Sequence, residues 1–266
     1  MVSWTQATVV LEHFMGNLKS GLGPGMPGNS RQVPTNSEQN REQVAGVQLT
    51  KTQIRDLIRQ GQMAPEEFQN LICMTDGTWN DQMIEEVLGY DDKQAQANAP
   101  FKYSATADNF PYMMSSARMV RECIARMPLG PDNHLVDFGA GAGYVNLLAH
   151  LTTGCKSTGI EVQSGLVDLA RKYVCDLNLS DAINVIHDQA QNIDISFADR
   201  FYFFNPFRRA AMQGVFDRLY ELSLTKDIYI FLAGSNSHRE DFKTHFAGVG
   251  PNEDYLFRSK KFAVSR

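Results

Sequence analysis

The residues best suited to chemistry lie in one run, Asp137-Phe138-Gly139-Ala140-Gly141-Ala142-Gly143-Tyr144, where a hydrophobic strand gives way to a helix. Glycines at alternate positions keep Cβ atoms out of the turn and tolerate dihedrals that other residues avoid. The helix that follows begins with amides that have no intrahelical partner and can receive a polar or anionic group. The combination suits a small ligand with a nucleoside and a charged tail that approaches the backbone closely. A tight strand-to-helix turn without a ligand is the alternative, and a lone glycine-rich turn does not decide between them.

Three further groups fall at comparable points along the chain. Glu161, in Gly159-Ile160-Glu161-Val162, ends the second strand-like run 22 residues after Gly139. A carboxylate there can accept from both hydroxyls of a ribose. Dinucleotide enzymes use the same spacing, so Glu161 points to a ribose without naming the cofactor, and a solvated surface Glu is the alternative. The third run ends in His187-Asp188-Gln189-Ala190, where Asp188 can accept from an adenine amino group or serve as an ordinary turn residue. The fourth, Phe201 to Phe207, closes on Asn205-Pro206-Phe207. An amide oxygen and an adjacent backbone carbonyl can both accept from an amino group and aim its lone pair. A neighbouring ring can pack on the substrate or stabilise a cation. An Asn-Pro turn that only stops a strand is the competing reading. No Ser/His/Asp or Cys/His arrangement is legible.

These residues need a scaffold that brings strand ends together. From His134 onward, strand-like runs at His134–Phe138, Ser157–Val162, Ile183–His187, Arg200–Phe204 and Asp227–Leu232 alternate with helical patterns at Tyr144–Leu151, Leu166–Leu177 and Ala210–Leu222. Such alternation predicts an α/β fold, a Rossmann-like and mostly parallel sheet with helices on both faces. Right-handed crossovers put the loops after the strands on one edge, where ligands bind. A small helical region precedes it. Residues 1–20 read as an N-terminal helix, and residues 21–48, rich in Gly, Pro, Asn, Ser and Gln, as a flexible linker. Residues 49–100 form a helical cap region: one helix capped by Thr50 or Thr52 and stopped by Gly61, one with Pro65 in its first turn, and one from Asp81 to Leu88 closed by Gly89.

Residues 101–266 resemble class I, seven-strand S-adenosylmethionine-dependent methyltransferases. The resemblance rests on DFGAGAG (137–143), GIEV (159–162), HD (187–188) and FFNPF (203–207). It implies S-adenosyl-L-methionine as cofactor. Gly139, Ala140, Gly141 and Gly143 would cradle the methionine moiety, and Glu161 with Val162 would hold the ribose. Asp188 with Gln189 would meet the adenine, and Asp137 would orient the loop or the ligand's amino group. Amino-methylating relatives carry Asn/Asp-Pro-Pro-aromatic, whereas this chain has a single proline. Some protein lysine methyltransferases of this class have an Asn followed by aromatic residues, to which Asn205 and Phe207 are similar. In those enzymes a Tyr- and Thr-containing segment closes over the donor, which makes Tyr103 and Thr106 the corresponding candidates. The catalytic set is therefore Asn205, Pro206, Phe207 and Tyr103. Tyr112, Met113 and Met114 are assigned to core packing. The family ends on an antiparallel strand pair, for which only Tyr255–Phe257 and Lys261–Ser265 are available, so a short or incomplete hairpin is expected.

Composition narrows the remaining classes. A hydrophobic share of 43% and a charged share of 21% over 266 residues are ordinary for a globular protein. No run approaches the ~18 apolar residues of a membrane span, and no secretory signal is visible. Four cysteines without CxxC or zinc spacing read as reduced thiols of a cytoplasmic protein, and no metal site is expected. Residues 1–99 hold seven Lys/Arg against twelve Asp/Glu, and residues 100–266 hold eighteen of each. Neither half offers the basic surface that phosphate neutralisation needs, so nucleic acid is disfavoured as partner. Three readings stand: methylation of an amino group, most plausibly of a protein; methylation of a small metabolite beneath a helical lid; or a nonenzymatic adenosyl-ligand binder.

Overall fold

Alternating buried side chains build a seven-stranded sheet. The computed structural model describes residues 49–74, 77–100, 110–207, 209–233, 239–250 and 255–263. The strands are β1 (His134–Phe138), β2 (Lys156–Glu161), β3 (Ile183–His187), β4 (Arg200–Phe204), β5 (Tyr229–Ala233), β6 (Phe246–Gly248) and β7 (Leu256–Ser259), in the order β3-β2-β1-β4-β5-β7-β6. Strands β1 to β5 are parallel, and β7 runs antiparallel between β5 and β6. Leu135, Tyr202 and Phe231 face one core, whereas Val136, Phe138, Phe201, Phe203, Ile230 and Leu232 face the other. That is the period of two expected of a pleated strand, applied to a sheet covered on both sides.

The bounds read from the sequence hold for β1, β3 and β4 and move by one or two residues for β2 and β5. The C-terminal hairpin is short, as expected, but it uses partly different residues: it pairs Phe246–Gly248 with Leu256–Ser259. Lys261–Ala263 supplies no strand, since Lys260–Ala263 forms a helical turn directly after β7. The side chains of Phe246 and Phe257 are buried in one cluster, which selects this pairing, while Lys260 and Lys261 are exposed.

Helices fill both faces. On one lie α1 (Lys51–Arg59), α2 (Pro65–Ile72), α3 (Asp81–Leu88), α4 (Asp92–Asn98), α5 (Ala117–Arg126), α6 (Tyr144–Thr153) and α7 (Ser164–Asp176). On the other lie α8 (Arg209–Ser223) and α9 (Arg239–His245), and α10 (Lys260–Ala263) follows β7. Thr50, not Thr52, caps α1, in a reciprocal box with Gln53. Asn80 caps α3, and Gly89 ends it in left-handed backbone at φ 67°. Two short helices escaped the sequence reading. Helix α4 (DKQAQAN) buries only Ala95, and α9 buries only Phe242, so neither carries an apolar stripe.

The N-terminal helices share one cluster with the sheet: Ile54, Phe68, Ile72, Ile84 and Val87 are fully buried against residues of α6 and α7. Each such side chain stabilises the packing by about 1.5–3 kcal/mol, and truncating Phe68 to Ala would cost about 3–5 kcal/mol. Polar contacts fix the register of the layer. Arg59 Nε donates to Asp176 O at 2.6 Å, and Tyr173 Oη accepts from Asp91 N at 3.1 Å. The expected helix at 1–20 and linker at 21–48 lie outside the described residues.

Candidate active site

The strand order reverses between β1 and β4, and the crevice outside the carboxyl ends of those strands is where open α/β sheets bind ligands. The glycine turn leaves β1 there. Its start is pinned to β2, because Gly139 N and Ala140 N both donate to Ile160 O, at 2.9 and 3.1 Å. Gly139 and Gly141 have φ of 77° and 55°, which disfavour any other residue. Their lack of a side chain serves a different purpose from the one expected. A Cβ at 139 would stand 2.4 Å from Pro206 Cβ, and one at 141 would stand 2.5 Å from the Tyr112 ring. The turn is thus kept bare for two protein groups that close on it. Gly143 is the N-cap of α6 and lines neither cavity; its Cβ would meet Ala170 at 3.2 Å. Its role is packing of α6 on α7.

Glu161 is buried and already engaged. Its carboxylate accepts from the backbone amides of Gly141, Val162 and Gln163, each at 2.9 Å. Burial raises its pKa, against the pull of those three bonds. The Gln163 side chain also donates to it, so the roughly four acceptor positions of the carboxylate are taken, and a ribose hydroxyl would bind by exchange with that side chain. The side chain that sequence spacing marked as a ribose acceptor is therefore also the brace of the glycine turn. Asp188 is exposed. It accepts from Gln189 N and Asn192 Nδ2 at 2.6 and 2.9 Å, and these bonds lower its pKa. Both acceptances use Oδ1, and among the described residues Oδ2 has no partner.

Two adjoining cavities occupy the crevice. The larger, of ≈ 280 Å³, is bounded by Gly139, Glu161, Val162, Asp188, Gln189 and Asn205. The smaller, of only ≈ 20 Å³, lies over the turn between Asp137, Gly141, Tyr90, Tyr112, Tyr144 and Phe204. Asp137 is 3% exposed, and no described residue hydrogen-bonds its carboxyl. Desolvation, with the nearby Glu161 charge, pushes its pKa up to about 8. A buried acid at the end of the turn, without a hydrogen-bond partner among the described residues, fits a cationic group, and the larger cavity fits a nucleoside.

On the acceptor side, Asn205 follows β4 in left-handed backbone at φ 46°, a region that Asn tolerates better than most residues. No described residue bonds its amide. Pro206 packs into the glycine turn, and its carbonyl already accepts from Phe110 N at 3.2 Å. Phe207 borders the larger cavity with Asn205 and Pro206, while most of its ring is buried: it is 7% exposed and packs edge-on to Phe138 and Phe203. The aromatic residue shared by both cavities at this end is Phe204. Tyr112 likewise belongs to the site, and Met113, expected in the core, is 58% exposed at its lip. Tyr103 and Thr106 lie outside the described residues. Among the described residues there is no cluster of His, Cys, Asp and Glu that would hold a metal, and no helix is long and apolar enough to cross a membrane.

Comparison with known proteins gives one family model, that of "Histone methylation protein DOT1", which matches residues 94–202. No curated protein matches the sequence. Similar solved structures include an RNA methyltransferase from Salinibacter ruber in complex with S-adenosyl-L-homocysteine, at 20% identity and TM-score 0.41, covering 55% of this chain and 92% of that one. The C-terminal domain of precorrin-6Y C5,15-methyltransferase from Rhodobacter capsulatus matches at 17% identity and TM-score 0.42, covering 53% and 75%. The MccD protein matches at 11% identity and TM-score 0.38, over 43% of this chain and 51% of its own, so the chain spans about half its length.

Proposed function

We propose that this chain, a class I S-adenosylmethionine-dependent methyltransferase, methylates an amino nitrogen of a protein, of the lysine type. The observation that carries the acceptor class is Asn205. It is held in left-handed backbone at the switch point, beside the larger cavity, with an amide that no described residue claims. The matching family's description as a histone methylation protein supports a protein acceptor.

When bound, the donor supplies an electrophilic methyl group on a positively charged sulfur. The chain's own residues bind and align. Asp188 Oδ2 would receive the adenine amino group, and Glu161 would receive a ribose hydroxyl in place of the Gln163 side chain. Asp137, ionised by the approach of an ammonium group, holds the amino-acid end. Asn205 Oδ1 accepts one N–H of the acceptor amine and keeps the nitrogen lone pair on the line of transfer. Phe204 excludes water beside it. No proton relay is needed for the donor half, because alignment and desolvation supply most of the rate in a sulfonium transfer.

The test is incubation of a cell extract with the protein and isotope-labelled S-adenosylmethionine, followed by mass spectrometry of protein, nucleic-acid and small-molecule fractions. Label on lysine side chains is expected. Label confined to small molecules would replace this reading by that of a metabolite methyltransferase beneath a helical lid.

A further inference from the structure

The two cavities differ in a way that the donor's shape makes consequential. The larger has room for a nucleoside. The smaller, over Gly141 and beside Asp137, measures ≈ 20 Å³. That is room for about one water molecule and not for a four-carbon chain bearing an ammonium and a carboxylate. The Tyr112 ring fills the difference, packed so closely on the turn that a Cβ at Gly141 would stand 2.5 Å from it.

Tyr112 is tethered there. Its hydroxyl donates to Asp92 at 3.2 Å, which leaves its oxygen to accept from Tyr90 Oη at 2.7 Å. Residues 110–116 around it have no regular secondary structure and are fixed near both ends. Phe110 N donates to Pro206 O, and Ser115 Oγ accepts from Tyr202 Oη at 3.0 Å. Between those anchors, Tyr112 is only partly buried, it borders the larger cavity as well, and Met113 beside it is exposed.

Resting on the donor reading above, we infer that Tyr112 closes the subsite for the donor's amino-acid tail in the free protein and selects between adenosyl ligands. Ligands that end at the thioether enter the site as it stands. Ligands that carry the tail bind only after the ring has left Gly141 and released Tyr90 and Asp92. Asp137 then faces the vacated volume, with no hydrogen-bonding competitor among the described residues. The open form is the minor one, and a ligand that needs it has its apparent affinity reduced by the open fraction. Two net hydrogen bonds of ordinary strength make that reduction about tenfold or more.

Isothermal titration of the full chain with S-adenosylhomocysteine and with 5′-methylthioadenosine tests this, because the two share nucleoside and sulfur and differ only in the tail. Tyr112→Ala is expected to bind S-adenosylhomocysteine about tenfold more tightly than wild type, with methylthioadenosine within twofold. Tyr112→Phe keeps the ring and loses both bonds of the tether, and is expected to move the same ratio in the same direction by a similar factor. A wild-type ratio in both variants, weaker binding of the tailed ligand, or equal changes for both ligands would overturn the gate and leave the donor reading intact. Failure of both ligands to bind any of the three proteins would overturn the donor reading and the gate with it.

Discussion

Asp137→Asn should make the free protein more stable and the donor complex weaker, and the pH dependence of the first effect can be worked from the structure. In the folded chain the carboxyl stays protonated up to about pH 8, against an ordinary value of 3.8. The unfolded chain ionises above the lower value, so between the two the folded state holds the extra proton. Stability is then fully present below about pH 4 and falls as pH rises toward 8, by about 1.4 kcal/mol per unit. At pH 7 the wild type has lost several kcal/mol, and at pH 5 a smaller part of that. An asparagine does not titrate, so the variant escapes this loss. Urea denaturation of both proteins at pH 5, 6, 7 and 8 should give a stability difference that widens with pH in the variant's favour. Calorimetry at pH 7 in buffers of different ionisation enthalpy should show about one proton released when wild type binds S-adenosylhomocysteine, and none in the variant. A stability difference that is the same at every pH would refute the assignment of a neutral buried acid.

Three further outcomes follow from the geometry. Glu161→Gln replaces one acceptor oxygen by a donor that must face backbone amides; it should cost about 1–3 kcal/mol of stability and weaken adenosine binding, read by denaturation and titration. Asn205→Gly should leave the fold at least as stable, by relief of about 1 kcal/mol of backbone strain, while turnover falls by roughly 10²-fold at unchanged donor affinity; wild-type turnover would reduce Asn205 to a strand terminator. Gly141→Ala should destabilise by more than about 1 kcal/mol and shift the Tyr112 ring, which a change in near-ultraviolet circular dichroism would report.

The sheet was legible because its strands are buried on both faces and filled with β-branched and aromatic residues, bounded by Gly, Asn and Asp. The same physics explains where reading failed. Helices α4 and α9 bury one apolar residue each and so leave no period to detect. Phe207, expected at the substrate because it lies two residues past Asn205, does border the larger cavity, but its packing against Phe138 could not be read from the sequence because it follows from the left-handed turn at Asn205. Phe204 was findable, since strand alternation puts it on the face of Tyr202, toward the N-terminal helices. Tyr112 was not, because an irregular segment carries no period and only the fold brings it over Gly141. Spacing put Glu161 at the end of β2, where the structure has it, but its three backbone bonds depend on a loop geometry that spacing does not encode.

What the site shares is local cost. Asp137 is a buried acid without a hydrogen-bond partner among the described residues, Glu161 is a buried carboxyl, and Asn205 sits in backbone that few residues adopt. Asp137 and Asn205 would each be improved for stability by a simple change, and all three stand within one crevice at the reversal of strand order. Elsewhere α1 and α3 are capped, the strands alternate and two apolar clusters cover the sheet, although Asn178 too has a positive φ and Asn146 Oδ1 is buried without a partner among the described residues. Selection for folding alone would remove such features, since neutral residues at 137 and 205 are available at no cost to packing. Their concentration at one point follows if a ligand supplies what the free protein lacks, an ammonium for Asp137 and an amine for Asn205. The two cores on either side of β1 and β4 then serve to hold that unfavourable geometry in place until the ligand arrives.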